Sequence, residues 1–198
     1  MRTLGGAVDK YMVMADLVVL SDAELVGVSV GGDRRAFAVL IGRHERDVHA
    51  FLARRAGRAA AEDLLADVWA AALGAQGRYD RSCLNARPWL FGIARNVLRA
   101  YLRRCGSGPL PSPMVLDPWD EVDGRLDGAE AVKAAVRGLS DEERDVLLLV
   151  VWEQLTPGEA AVVLAIPPGT ARSRLHRARV VLREQIDGST QSIRKGVS

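Results

Sequence analysis

T-P-G-E-A-A-V-V-L-A-I-P-P-G-T-A-R-S-R-L-H-R-A-R-V-V-L-R-E, residues 156–184, reads as two helices separated by a very short break. Thr156 suits an N-cap, Pro157 the first helical position, and Glu159 completes a capping box three residues past the cap. That helix should end near Ala165, because Pro167, Pro168 and Gly169 cannot continue it. A second helix follows at once, and two helices joined so tightly make a helix-turn-helix. Advancing about 100° per residue along it, Leu175, Ala178 and Leu182 return within about 40° of Ala171 and form one narrow apolar stripe that must be buried. Arg172, Ser173, His176 and Arg177 fall on the opposite arc, with Arg174 and Arg179 on its flanks.

This helix carries five arginines, the fifth being Arg183, and no acid between residues 168 and 183. Like charges so placed repel by a few tenths of a kcal/mol per pair, a cost that a polyanion removes. A helix fits the DNA major groove, where arginine reads guanine through two hydrogen bonds while its neighbours pair with phosphates. A solvated face is the bland alternative, weakened by the missing acids and by the helix that precedes the break.

Working toward the N-terminus, S-D-E-E at 140–143 is a second capping box, opening a helix through Val146, Leu147, Leu149, Val150 and Val151, and a shorter helix is expected over 129–137. These helices make a domain over 128–187, with 188–198 as a C-terminal tail. Before them, residues 106–127 hold Gly106, Gly108, Pro109, Pro111, Pro113 and Pro118, a flexible linker rather than a helix. From Asp117 to Glu130 there are six acids against Arg125 alone, a local charge of 1 − 6 = −5, which suits a self-repelling tether.

The first half also reads as helical. Ser21 is an N-cap with early acids, apolar periodicity runs through Phe37, Leu40, Ile41, Val48, Phe51 and Leu52, and further helices are expected over 61–73 and 88–104, giving a domain over 21–105. Strand signals are nearly absent, so the fold class is all-α in two small domains. Seven arginines and one acid between Arg78 and Arg104 make a second basic region of 7 − 1 = +6. Its helix turns Phe91, Ala94, Leu98, Tyr101 and Leu102 inward and leaves Asn96, Arg99 and Arg103 outward with Arg95 beside them. The loop D-R-S-C-L-N-A-R, 80–87, offers Asn85 and Arg87 to unpaired bases. Trp89, next to Leu90 and Phe91, reads as core.

A-E-D-L-L-A-D-V-W-A, 61–70, sets Asp63 and Asp67 four apart on the face away from Leu64, Leu65, Val68 and Trp69. The helix dipole accounts in part for Asp63, which leaves Asp67 the odder residue. A basic partner surface and a solvated face both remain open on periodicity alone.

Composition bounds the rest. With 198 residues, 48% hydrophobic and 26% charged, and a formal net charge of +2, the chain is a soluble globular type whose basicity is local. Of 27 basic residues only Lys10, Lys133 and Lys195 are lysines, which suits phosphate and guanine contacts and equally well a GC-rich genome. Cys83, Cys105, His44, His49 and His176 lack the spacing of a disulfide framework or a metal site, so no metal or cofactor is expected, and a reducing cytoplasm is the default location. The apolar run Tyr11–Leu20 contains Asp16 and is too short to span a bilayer, so residues 1–20 read as a tail, or as upstream of a true start at Met12 or Met14. No carboxylate cluster with a histidine ligand and no nucleophile with a base supports catalysis, which disfavours a nuclease.

Taken together, A-E-D-L-L-A-D-V-W, R-P-W-L-F-G-I-A-R-N-V-L-R-A-Y-L-R-R and G-T-A-R-S-R-L-H-R-A-R resemble the extracytoplasmic-function (ECF) group of bacterial sigma factors, promoter-recognition subunits of RNA polymerase. The resemblance covers roughly 21–104 and 129–185. It implies a non-enzymatic protein that binds core polymerase, with Asp63 and Asp67 on the clamp helices of β′ and further contacts to β. It places Asn85 and Arg87 at a flipped base of the minus 10 element and Arg95, Asn96, Arg99 and Arg103 on adjacent DNA. Arg172, Ser173, Arg174, His176, Arg177 and Arg179 would serve the minus 35 major groove. It also implies an anti-sigma partner, no direct membrane insertion and a linker that threads polymerase channels. Two departures stand out: Ala66 replaces a common glutamine, and Ala165-Ile166-Pro167 replaces the usual Gly-Ile-Ser turn. A left-handed Ala165 would cost roughly 1 kcal/mol over glycine. The rival reading is a stand-alone helix-turn-helix regulator whose first domain senses a ligand or dimerises.

Overall fold

The computed structural model describes residues 14–106 and 129–195; for helix residues 129–131, 133 and 186–195 it describes the backbone alone. Every regular element among the described residues is a helix. The first half comprises α1 (Met14–Val19), α2 (Asp22–Val30), α3 (Arg34–Ala56), α4 (Arg58–Ala75), a short 3-10 turn at Gln76–Arg78 and α5 (Arg87–Arg104). The second comprises α6 (Ala129–Arg137), α7 (Asp141–Val151), α8 (Pro157–Leu164) and α9 (Pro168–Lys195). The expected linker apart from Gly106, and most of the expected N-terminal tail, lie outside the described residues.

Local chemistry sets the ends of these helices. Ser21, Ser140 and Thr156 each accept from the N3 amide while Glu24, Glu143 and Glu159 return to the cap, closing three capping boxes. Between α3 and α4 only Gly57 intervenes, at φ 84°, a conformation in which a side chain would be strained. The α8–α9 turn runs through Ala165 at φ 55°, ψ 46°, the left-handed conformation that the missing glycine makes costly. Pro168 then opens α9.

Two features depart from the tail readings. Met14–Val19 is helical, with Leu17 fully buried and Arg43 Nη2 donating to the Val18 carbonyl at 2.6 Å. The apolar run at 11–20 thus ends in a short helix against α3 that buries Leu17 and leaves Val18 and Val19 exposed. At the other terminus, α9 continues through Lys195, beyond the boundary at 187.

In the first half the core is aromatic and aliphatic. Phe51 meets Phe91 at 5.3 Å between centroids, Phe37 meets Trp69 edge-on at 6.2 Å, and Trp89 packs on the core beside Tyr79 at 5.1 Å. Tyr79 donates to the Cys83 carbonyl, and burial pushes its hydroxyl up to about 12. In the second half buried Arg144 joins an apolar core that includes Leu139, Val146, Leu149, Val163 and Leu175. It donates to the carbonyls of Val136, Arg137 and Leu139 at 3.0, 3.0 and 2.7 Å, satisfying the end of α6 and tying it to α7. The halves also touch. α5 lies against α8, and buried apolar residues of both halves form one continuous cluster.

Candidate nucleic-acid and partner interfaces

On α9 the narrow stripe lies inward: Ala171 and Ala178 are fully buried and Leu175 nearly so, with Leu182 half-buried against the same core. Arg172, Ser173, His176, Arg177 and Arg179 are exposed, and Arg174 is half-buried. Ser173 Oγ donates to the Gly169 carbonyl at 3.0 Å, and Arg177 Nε reaches Glu143 at 3.0 Å while staying 61% exposed. This cationic arc faces solvent as a groove-binding helix must.

α4 keeps Asp63 and Asp67 exposed and buries Ala61, Leu64, Val68 and Ala72. The two carboxylates share one solvent-facing surface with Glu62 and Ala66.

The second basic region divides. Asn96, Arg99 and Arg103 are exposed along α5, as the periodicity predicts. Asn85, Arg87 and Arg95 instead meet the second half of the chain. Asn85 Nδ2 donates to Glu159 at 3.4 Å, Arg87 Nη2 donates to the Glu153 carbonyl at 3.0 Å, and Arg95 pairs with Asp145 at 3.6 Å. Burial pushes the Asp145 carboxyl up and the Arg95 guanidinium down, so this long pair does not offset the loss of water around either group. Arg87 also pairs with Asp47 at 3.1 Å.

The loop before α5 is held from beneath by a residue that sequence reasoning passed over. Asp22, 7% exposed, accepts from His44 Nε2 at 2.7 Å and from the Ala86 amide at 3.0 Å through one oxygen, and from Arg43 Nη1 at 2.9 Å through the other. Ala86, fully buried, separates Asn85 from Arg87, so Asp22 fixes the backbone between them. Burial alone would raise the Asp22 carboxyl, but His44, the Ala86 amide and Arg43 together outweigh it and bring it down to about 2. In sequence Asp22 looks like an ordinary acid after an N-cap, and nothing marks its distant partners. Beside the same loop an open cleft of about 510 Å³ is lined by Ser21, Ala23, Glu24, Gly27, Arg81 and Leu84, the last 70% exposed. Arg54, Arg55 and Glu153 were likewise missed. Arg54 Nη2 and Arg55 Nη1 reach Glu153 at 2.5 and 3.3 Å, and Glu153 is only 3% exposed.

A helix-turn-helix with a cationic outer arc, a second cationic helix headed by a polar loop, and a separate acidic face define a class: DNA-reading proteins that also dock on a partner. Comparison with known proteins places this chain within that class. The family described as Sigma-70 region 2 matches residues 40–107, and Sigma-70 region 4 matches 129–182. The chain is similar to the ECF RNA polymerase sigma factor SigM of Mycobacterium tuberculosis (strain ATCC 25618 / H37Rv), 34% identical over 166 residues that cover 82% of this chain and 83% of the relative. It is similar also to ECF RNA polymerase sigma factor SigC of Mycobacterium tuberculosis (strain CDC 1551 / Oshkosh), 32% identical over 155 residues, 76% of this chain and 83% of the relative. Among solved structures, CnrH in complex with the cytosolic domain of CnrY shares the fold at TM-score 0.61 and 24% identity, covering 84% of this chain and 97% of that one. The sigma factor RpoE in complex with the anti-sigma factor NepR from Bartonella quintana matches at TM-score 0.54 and 26% identity, covering 76% and 96%. The chain belongs to the ECF sigma factors, a non-enzymatic family that directs RNA polymerase to promoters. The stand-alone regulator is not favoured, because its first domain would have no reason to match region 2. Among the described residues no helix is long and apolar enough to cross a membrane and no group of side chains could hold a metal ion.

Proposed function

We propose that this sigma factor divides promoter recognition among the three surfaces described above. Asp63 and Asp67 dock on the β′ clamp helices of core polymerase, whose basic groups remove the repulsion between two carboxylates one helical turn apart. Arg172, Ser173, His176 and Arg177 read the minus 35 major groove, with Arg174 and Arg179 on flanking phosphates. Asn85 and Arg87 read a base flipped from the minus 10 element, and the cleft beside Arg81 and Leu84 offers that base an apolar floor. Arg95, Asn96, Arg99 and Arg103 carry the adjacent strand. Residues 21–105 and 128–187 act as the two working domains, and the acidic linker between them threads polymerase channels lined by basic groups. The protein works in the cytoplasm, with no membrane insertion of its own. An anti-sigma factor restrains it, a reading supported by the relative solved with one.

The observation that carries this reading is that exposed Asp63, Asp67, Asn96, Arg99, Arg103, Arg172 and Arg177 form charged faces of opposite sign that lie outside the core of their own helices. The test is transcription by purified core polymerase on fragments of the source genome, with and without the protein. Specific start sites that appear only with the protein are expected. An identical transcript pattern in both reactions would refute the reading.

A further inference from the structure

Glu153 is a buried carboxylate whose side chain makes all its described polar contacts with the other half of the chain: Arg54 at 2.5 Å and Arg55 at 3.3 Å. Its carbonyl takes the Arg87 guanidinium at 3.0 Å. It lies in the α7–α8 connection, just before Gln154, which turns the backbone through φ 53°. The three guanidiniums are braced by ring faces. Arg55 stands 3.9 Å from the centroid of Phe51, Arg87 5.8 Å from Phe91, and Arg54 5.6 Å from Trp152 of the second half. Arg87 also pairs with Asp47 at 3.1 Å, yet these acceptors do not exhaust the three guanidiniums, since Arg54 Nε and Arg87 Nε are buried with no hydrogen-bond acceptor. Arg55 Nη1 also donates to the Phe51 carbonyl at 3.2 Å, and Arg55 is still pushed down by burial, the mark of a cation that one carboxylate at 3.3 Å compensates poorly. A phosphate has more acceptor oxygens than a carboxylate, and the arginine fork fits it well.

We propose that Arg54, Arg55 and Arg87 form an anion site on the first half for a backbone phosphate of the unpaired promoter strand, which Glu153 occupies while the two halves are closed. This rests on the reading of the 80–87 loop as the minus 10 reader. Arg87 belongs to both, so a strand entering the loop brings a phosphate to the place Glu153 holds. The neighbouring contacts have the same polarity. Glu159 on Asn85 and Asp145 on Arg95 are also second-half acids on first-half DNA residues. The second half thus covers the single-strand surface with an acidic face, and the free chain holds itself off DNA until polymerase draws the halves apart.

The test uses the full chain and a fluorescein-labelled single strand of twelve mixed nucleotides, because a phosphate site is blind to sequence. Anisotropy should show Glu153→Gln binding about tenfold tighter than wild type, the factor for one charge-assisted hydrogen bond at the weak end of its range. Small-angle scattering should show the variant more extended. Adding Arg54→Ala to Glu153→Gln should keep the extended form, remove most of the gain and reduce the salt dependence by about one phosphate contact. Unchanged affinity in a folded Glu153→Gln chain, or a gain that survives Arg54→Ala, overturns the proposal. Should Glu153→Gln lose helicity, Asp145→Lys, which sets a second cation against Arg95, opens the same closure and is judged by the same criteria. A parallel transcription reaction with core polymerase separates the two readings. Wild type and Glu153→Gln active alike, with no change in the free chain, sinks the anion site alone; wild type inactive sinks the promoter reading, while the binding measurements still decide the site.

Discussion

Replacing Asp22 by asparagine removes the negative charge that holds the 80–87 loop from beneath while keeping the side chain's size. The native carboxyl lies near 2 against 3.8 for an unperturbed aspartate. A lowering of that size corresponds to roughly 2 kcal/mol of stability at neutral pH. Because the folded value is depressed, the contribution is complete above about pH 4 and is lost as pH falls through about 2. Asparagine has no such dependence, and its amide group meets either Arg43 or the shared oxygen position of His44 and Ala86 with the wrong polarity. Urea unfolding followed by circular dichroism at pH 7 should show a midpoint lower by about 1 M for the variant, with the gap to wild type closing between pH 4 and pH 2. Amide exchange of Ala86 should quicken, since its acceptor is weakened. Equal stabilities at pH 7, or a gap that does not close in acid, would refute the assignment of Asp22 as a charged anchor.

Further expectations rest on single residues. Asp63→Lys with Asp67→Lys should abolish binding to core polymerase and leave far-ultraviolet circular dichroism unchanged, because both side chains are exposed; retained binding counts against the α4 assignment. Arg172→Ala should weaken minus 35 recognition by about 1 to 3 kcal/mol if it reads a base, and an equal loss on all sequences in a competition assay would reduce it to a phosphate contact. Ala165→Gly should raise stability by about 0.5 to 1 kcal/mol by relieving the left-handed alanine at φ 55°, measured by thermal melting. Arg144→Ala should cost several kcal/mol, roughly 3 to 5, because it strips partners from three carbonyls and a carboxylate where α6 meets α7.

Legibility in the sequence followed the range of the interaction. Capping boxes at Ser140 and Thr156, the inward stripe Ala171-Leu175-Ala178, and the exposure of Asp63, Asp67, Asn96, Arg99 and Arg103 all depend on residues within two turns of one another, and periodicity reaches that far. The α1 turn was missed because only one buried residue, Leu17, distinguishes it from an unpaired tail. Asp22 with Ala86 spans 64 positions and Arg54 with Glu153 spans 99, and no local pattern encodes such pairings. The apposition of the halves escaped for the same reason. An acidic loop residue such as Glu153 reads as solvated until its partners are placed.

The second half is electrically two-faced, and this gives the two proposed DNA surfaces different standing in the closed chain. Between residues 140 and 159 it carries Asp141, Glu142, Glu143, Asp145, Glu153 and Glu159 against Arg144 alone, whereas 168–183 carries five arginines and no acid. The acidic side meets α5 and covers Asn85, Arg87 and Arg95; the cationic arc of α9 stays exposed. A polyanion approaching the closed chain therefore meets an exposed α9, with Arg177 paired to Glu143, while the 80–87 loop is screened by carboxylates. On the proposed assignments, duplex binding at minus 35 requires no opening, but strand capture at minus 10 does. Separation of the halves by polymerase is thus, on the same proposed assignments, a condition for the second step rather than the first. Added salt weakens phosphate contacts at both surfaces, but it also weakens the acidic cover over the loop. The salt dependence of single-strand binding by the free chain should consequently be shallower than that of duplex binding, and the Glu153→Gln chain should recover the steeper slope.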